Sequence, residues 1–182
     1  MVMSEKKGIW KKLIIMAIVI ITVFGAINAV WYFGLKVRYN KIEKKLAECE
    51  TVTIFGTEDV GVLYNGCVVG VKQPSYIQNG GFVTFTDIKE YEPFINIGQS
   101  EIVEEDDISV TLMYWPQIFG DDRYGVDICQ GDVWEQIYID KDGNYVSLED
   151  ADEEMDEYLQ SLLDEYRGEI DELLNVAKKL IE

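Results

Sequence analysis

Asp140, Asp142 and Asn144 occupy alternate positions in YIDKDGNYVSLED, the spacing at which a calcium loop presents its first three oxygen ligands. A twelve-residue loop of that kind also needs glycine at its sixth place and a bidentate glutamate at its twelfth. Counted from Asp140, those places hold Tyr145 and Ala151. Asp142-Gly143 as the two-residue turn of a β-hairpin uses the same residues without a metal, so the turn is the preferred reading and calcium the alternative. The run Glu104, Glu105, Asp106 and Asp107 is another source of oxygen ligands. Successive side chains diverge, however, and such a run reads first as a solvated loop.

The remaining chemistry is narrowed by what is missing. Histidine is absent, which removes Ser-His-Asp and Cys-His catalysis and every His-ligated metal site. Cys49, Cys67 and Cys129 lack CxxC spacing and read as small apolar core residues, with one pair plus one thiol as the alternative. Neither a phosphate-binding loop nor a dinucleotide glycine fingerprint occurs. The scattered carboxylates offer no pair identifiable as the acid and base of a glycosidase. The expectation is a protein that is not an enzyme and carries no cofactor.

Charge separates the chain into two parts. The whole carries 34 acidic and 16 basic residues for a formal net charge of −18, yet Met1 to Cys49 holds nine of the basic residues and three of the acidic ones. Everything from Glu50 onward is strongly acidic. That balance argues against nucleic acid as a partner, because phosphate contacts need clustered Lys and Arg. A basic protein is the partner it fits.

The strongest single signal is the uncharged stretch Leu13 to Leu35, twenty-three residues long, against about 20 for a helix that crosses a bilayer. Trp10 lies ahead of it and Trp31, Tyr32 and Phe33 lie at its trailing edge, where amphipathic rings favour headgroups. A cleaved signal peptide is the rival, with Ala29 before the cut, but the apolar run exceeds the 7 to 15 residues or so of such leaders. An uncleaved anchor is therefore expected. Lysines flank both ends, so the positive-inside rule nearly ties. The short tail ahead of the span and the long domain behind it favour a cytoplasmic N-terminus and an extracytoplasmic domain. Thr22, Gly25, Asn28, Ala29 and Tyr32 form a small or polar stripe along the span, which fits close helix packing and a homo-oligomer.

The elements that follow are α+β. Residues 1–12 read as a basic tail, 13–35 as the transmembrane helix, and 36–49 as a helical stalk with Leu35, Tyr39, Ile42 and Leu46 on one face. Residues 50–148 read as an antiparallel β-domain built from hairpins. Asn65-Gly66 is a type I′ turn that puts Tyr64 opposite Cys67 and Val62 opposite Val69, with Gly61 facing Gly70 across a gap for an aromatic ring or a ligand. Asn79-Gly80 is a second turn signal, and Ser109 to Trp115 is a strand. Gly131-Asp132 sets Val126 opposite Ile137 and Tyr124 opposite Ile139, and Asp142-Gly143 then sets Ile139 opposite Val146 and Ile137 opposite Leu148.

Residues 149–182 read as one acidic amphipathic helix. Ser147 with Asp150 would cap it, Gly168 would weaken its middle, and its apolar stripe stutters between Tyr166 and Ile170. Packing on the β-domain is preferred over a coiled coil, and the basic stalk is a third neighbour for it. A tethered interaction module is the function expected, with Tyr114, Trp115 and Trp134 as partner-surface rings. An assembly subunit and an acidic inhibitor or immunity-type protein are the alternatives.

Overall fold

A computed structural model of the chain describes residues 2–53, 60–74, 80–87, 108–130, 133–147 and 152–182. Helix α1 (Val2–Trp31) runs through a π-helical stretch (Tyr32–Lys36) into helix α2 (Val37–Leu46) without a break. The part from Trp10 onward is long and apolar enough to cross a membrane, and its Leu, Ile, Val and Phe side chains up to Phe33 are exposed.

Beyond α2 the chain folds back and forth as a seven-stranded antiparallel sheet in sequence order: β1 (Thr51–Thr53), β2 (Val60–Tyr64), β3 (Cys67–Lys72), β4 (Phe82–Asp87), β5 (Ile108–Trp115), β6 (Arg123–Gln130) and β7 (Val133–Ile139). Alternate residues share a face of a strand, so Val69, Phe85, Leu112, Val126 and Ile137 line one side, and each is nearly or completely buried. Helices α3 (Glu153–Glu165) and α4 (Arg167–Ile181) join α2 in covering that side, placing Ile170, Leu173, Ala177 and Leu180 in a common core with Tyr39, Ile42 and Leu46.

The Asn65-Gly66 turn forms as expected, with positive φ at both residues (50° and 85°) and Tyr64 opposite Cys67. The register across β6 and β7 also follows the sequence, Val126 facing Ile137 and Tyr124 facing Ile139. The glycine gap is different. A side chain on Gly61 would lie 2.4 Å from the Val68 methyl and one on Gly70 would lie 2.6 Å from the Thr84 hydroxyl, so neighbouring side chains fill the space instead of a ring or ligand. Asn79, Glu104 to Asp107, the Gly131-Asp132 turn, Leu148 and Asp150 lie outside the described residues.

Three further expectations are corrected. The segment after α1 is not a stalk outside the domain: Tyr39, Ile42 and Leu46 are 1, 2 and 4% exposed and belong to the core, because their helical stripe meets the apolar face of the sheet. The Asp142-Gly143 hairpin closes one residue differently, with Ile139 bridging Tyr145 and Val146 left exposed. Asp140 Oδ1 accepts from the Asp142 and Asn144 amides (2.8 and 2.9 Å) and so widens the turn. Arg167 donates to the Asp142 and Gly143 carbonyls (3.1 and 2.5 Å) and holds it from α4. A one-residue slip reverses which side chains face inward.

The C-terminal segment is two helices, broken at Tyr166, where the stripe stutters. Its cap is Asp152, whose carboxylate accepts from the Met155 amide at 2.9 Å, whereas the Ser147 hydroxyl donates to Asp156 at 2.8 Å. As the third reading anticipated, α2 does lie beside α4. The contact is lysine to helix-end carbonyl: Lys45 donates to Leu180 O at 2.9 Å and Lys41 donates to Glu182 O, the favourable end of the helix dipole for a cation.

Candidate functional site: the junction of the apolar helix and the sheet

Arg38 lies one turn past Gly34, where the apolar helix enters the domain, and its guanidinium meets the loop between β5 and β6. Nη1 donates to Asp122 Oδ1 at 2.9 Å and to the Gln117 carbonyl at 3.2 Å; Nη2 donates to Asp122 Oδ2 and, at 2.5 Å, to the Tyr114 hydroxyl. Tyr114 passes its own proton toward Asp122 Oδ2 at 2.8 Å, and the Gln117 amide donates to Asp122 Oδ1 at 3.0 Å. Buried Pro116 ends β5 because it cannot donate to a ladder, and the positive φ of Gly120 (80°) lets the chain turn back toward β6.

This cluster fixes position and does not supply a base. Burial pushes the Asp122 carboxyl upward, but hydrogen bonds from Arg38, the Gln117 amide and Tyr114 outweigh it and hold the carboxyl below its ordinary range. The bond to Asp122 raises the Arg38 pKa still further, and burial raises Tyr114 far enough to keep its hydroxyl protonated. A carboxylate with both oxygens engaged by a guanidinium fork is a geometric clamp. It ties the helix exit to two strands.

Next to the clamp an open groove of about 890 Å³ is bordered by Asp121, Arg123, Tyr124, Tyr138, Asp140 and Lys141 among others. Asp121 and Asp140 are balanced there by Arg123 and Lys141, while Asp122 is neutralised by Arg38. Among the described residues no group of His, Cys, Asp and Glu is arranged to hold a metal ion.

Asp140, Asp142 and Asn144 are brought together, but in the service of the loop itself. The Asp140 carboxylate accepts from the Asn144 side-chain amide (2.9 Å) as well as from the two backbone amides; burial pushes its pKa upward, but these bonds together with nearby Arg167 outweigh it and lower the pKa. Arg167 and Lys178 lie beside Asp142, Lys178 at 3.7 Å from its carboxylate, which places cations where a calcium ion would need none.

The three aromatic candidates are separated. Tyr114 is fully buried on the core side, so it is not a partner-surface ring; Trp115, the next residue, necessarily points to the other face. Its ring lies over Gly125 and meets Tyr138 at 6.0 Å between centroids. Trp134 shares that face and is 59% exposed, but it pairs with Cys129 while Trp115 pairs with Arg123, about 20 Å apart along β6. The same face carries a polar network in which Gln136 donates to Asp127 (2.9 Å) and Thr86 bonds Thr111 (2.8 Å); burial raises the Asp127 pKa against the Gln136 bond.

On the apolar helix, Gly25 and Ala29 are exposed, and no described residue lies within 4 Å of where a Gly25 side chain would project. Asn28 donates to the Phe24 carbonyl of its own helix at 2.7 Å, and Thr22 does the same to Ile18 at 2.9 Å. Sequence reasoning missed Arg38, Gln117 and Asp122. Arg38 falls on the buried side of α2 between Leu35 and Tyr39, the one local sign that it has a partner inside the domain.

In comparisons with known proteins, the chain matches no family model, no curated protein and no solved structure.

Proposed function

We propose that the chain is a single-pass membrane protein that holds an acidic α+β domain in a fixed orientation at the bilayer surface, where it binds a basic protein partner. The observation that carries this reading is the jointless passage from a helix of bilayer length into the core. The apolar side chains of α1 are exposed, and only one turn later Arg38 and Tyr39 are engaged by the sheet. A flexible tether would let the domain sample all orientations; this connection does not. The charge of the partner follows from the outer faces of α3 and α4, where Glu154, Glu157, Glu165 and Glu172 are exposed. Such a surface steers and selects cations more than it adds affinity. Inhibition of a basic protein, as by an immunity-type protein, is one form the binding would take. The N-terminus is cytoplasmic and the domain extracytoplasmic in this reading.

Cross-linking and mass spectrometry on solubilised full-length chain tests it. A stoichiometric basic partner is expected, lost when those four glutamates are changed to glutamine; capture that survives the change sinks the charge argument. An epitope placed after Glu182 should be digested by protease added to intact cells, and protection would reverse the topology. A second reading, assembly through the apolar helix, is favoured by the open surface at Gly25 beside Ala29. Self-association unchanged in Gly25→Leu would remove it.

A further inference from the structure

We propose that the β5–β6 loop is a second, peripheral membrane contact, with Phe119 as a side chain seated in the lipid headgroup and upper acyl region. The inference rests on the membrane reading above and extends it to a residue far from the helix in sequence. Phe119 is 81% exposed, while its neighbours Pro116 and Ile118 are buried and half-buried. The loop lies at the helix exit: an Ile118 methyl is 3.3 Å from where a side chain on Gly34 would begin. Gly34 directly follows Phe33, itself 71% exposed and set edge-to-face against Tyr32 at 5.4 Å.

Helical rise sets the depth. From Leu13, about 20 residues at about 1.5 Å each cross the hydrocarbon core of about 30 Å, which brings Tyr32 and Phe33 to its far boundary. A loop touching Gly34 is therefore level with that boundary. The level is also fixed, because one guanidinium holds both partners: Arg38 donates to the Gln117 carbonyl and to Asp122, the two ends of the loop that carries Phe119. The tip cannot swing without breaking the clamp at the helix exit. An aromatic ring at headgroup level is the placement that bilayers favour, and a single large exposed ring on a clamped loop next to a span has lipid as its nearest apolar solvent.

The test uses the full chain reconstituted alone in phosphatidylcholine vesicles, with the photo-cross-linking analogue p-benzoylphenylalanine in place of Phe33, Phe119 or Trp134, and adducts read by mass spectrometry. Trp134 serves as the distant control, since it lies at the other end of the strands from the β5–β6 loop. Lipid adducts are expected from positions 33 and 119 and none from 134. Adducts at 33 but none at 119, or adducts at 119 to a second copy of the chain, overturn the loop contact while leaving the anchor intact. Absence of adducts at both positions overturns the anchor and the loop contact together. Substitution at so exposed a side chain as Phe119 leaves the core untouched, and matching circular dichroism spectra verify that each variant is folded.

Discussion

Removing α2 while keeping every strand tests the claim that this helix belongs to the core. We compare a fragment Gly34–Glu182 with one starting at Glu50, where hydropathy patterning alone draws the domain boundary. Tyr39, Ile42 and Leu46 are 1, 2 and 4% exposed, and burial of each such side chain contributes about 1.5–3 kcal/mol. Three together give about 5–9 kcal/mol, which falls to about 3–8 once a compact denatured chain is allowed for. The Arg38–Asp122 clamp, with side chains 35% and 22% exposed, adds about 1–2 kcal/mol after discounting for solvent. A loss of about 4–10 kcal/mol is comparable to the whole stability of a domain, about 5–15 kcal/mol. Urea unfolding followed by near-UV circular dichroism should therefore give a cooperative transition for the longer fragment and little or no native signal for the shorter. Equal midpoints for the two would refute the placement of α2 in the core and, with it, the rigid junction.

Asp122→Asn should cost the longer fragment about 1–2 kcal/mol at pH 7. Because the folded carboxyl titrates below its unfolded value, about 3.9, its contribution is complete above that value and fades as pH falls through the folded pKa. Denaturation at pH 7 and pH 2.5 should show the deficit shrinking; a constant deficit would mean that charge plays no part. Gly125→Ala would set a methyl 2.9–3.0 Å from the Trp115 ring and 3.2 Å from the Ile137 carbonyl. It should destabilise by about 1–3 kcal/mol and alter tryptophan emission, and an unchanged spectrum would contradict the ring's position. Asp140→Ala should cost about 1 kcal/mol by unmaking the loop's own hydrogen bonds. Calcium should leave the unfolding midpoint of the unmutated chain unmoved, and a saturable calcium shift abolished by this substitution would restore the metal reading.

What local pattern can specify was legible in the chain. The uncharged twenty-three-residue run, the period-two strands and the Asn65-Gly66 turn depend on neighbours within a few positions, and so did the stutter at which α3 and α4 divide. The residue types also ruled out histidine chemistry before any fold was known. The tertiary structure decided everything that depends on distant partners. Arg38 and Asp122 are 84 positions apart, and no spacing rule connects them. Tyr114 and Trp115 are adjacent and both aromatic, yet strand alternation buries one wholly and leaves the other on the opposite face. The Asp140 loop is legible as a turn but not in its register, because the Asp140 carboxylate widens it by accepting from the Asp142 and Asn144 amides and Arg167 then holds it from a helix formed later in the chain. The stripe on α2 was visible as a stripe. That it faces the sheet, and so turns a stalk into part of the domain, follows only from where the sheet lies.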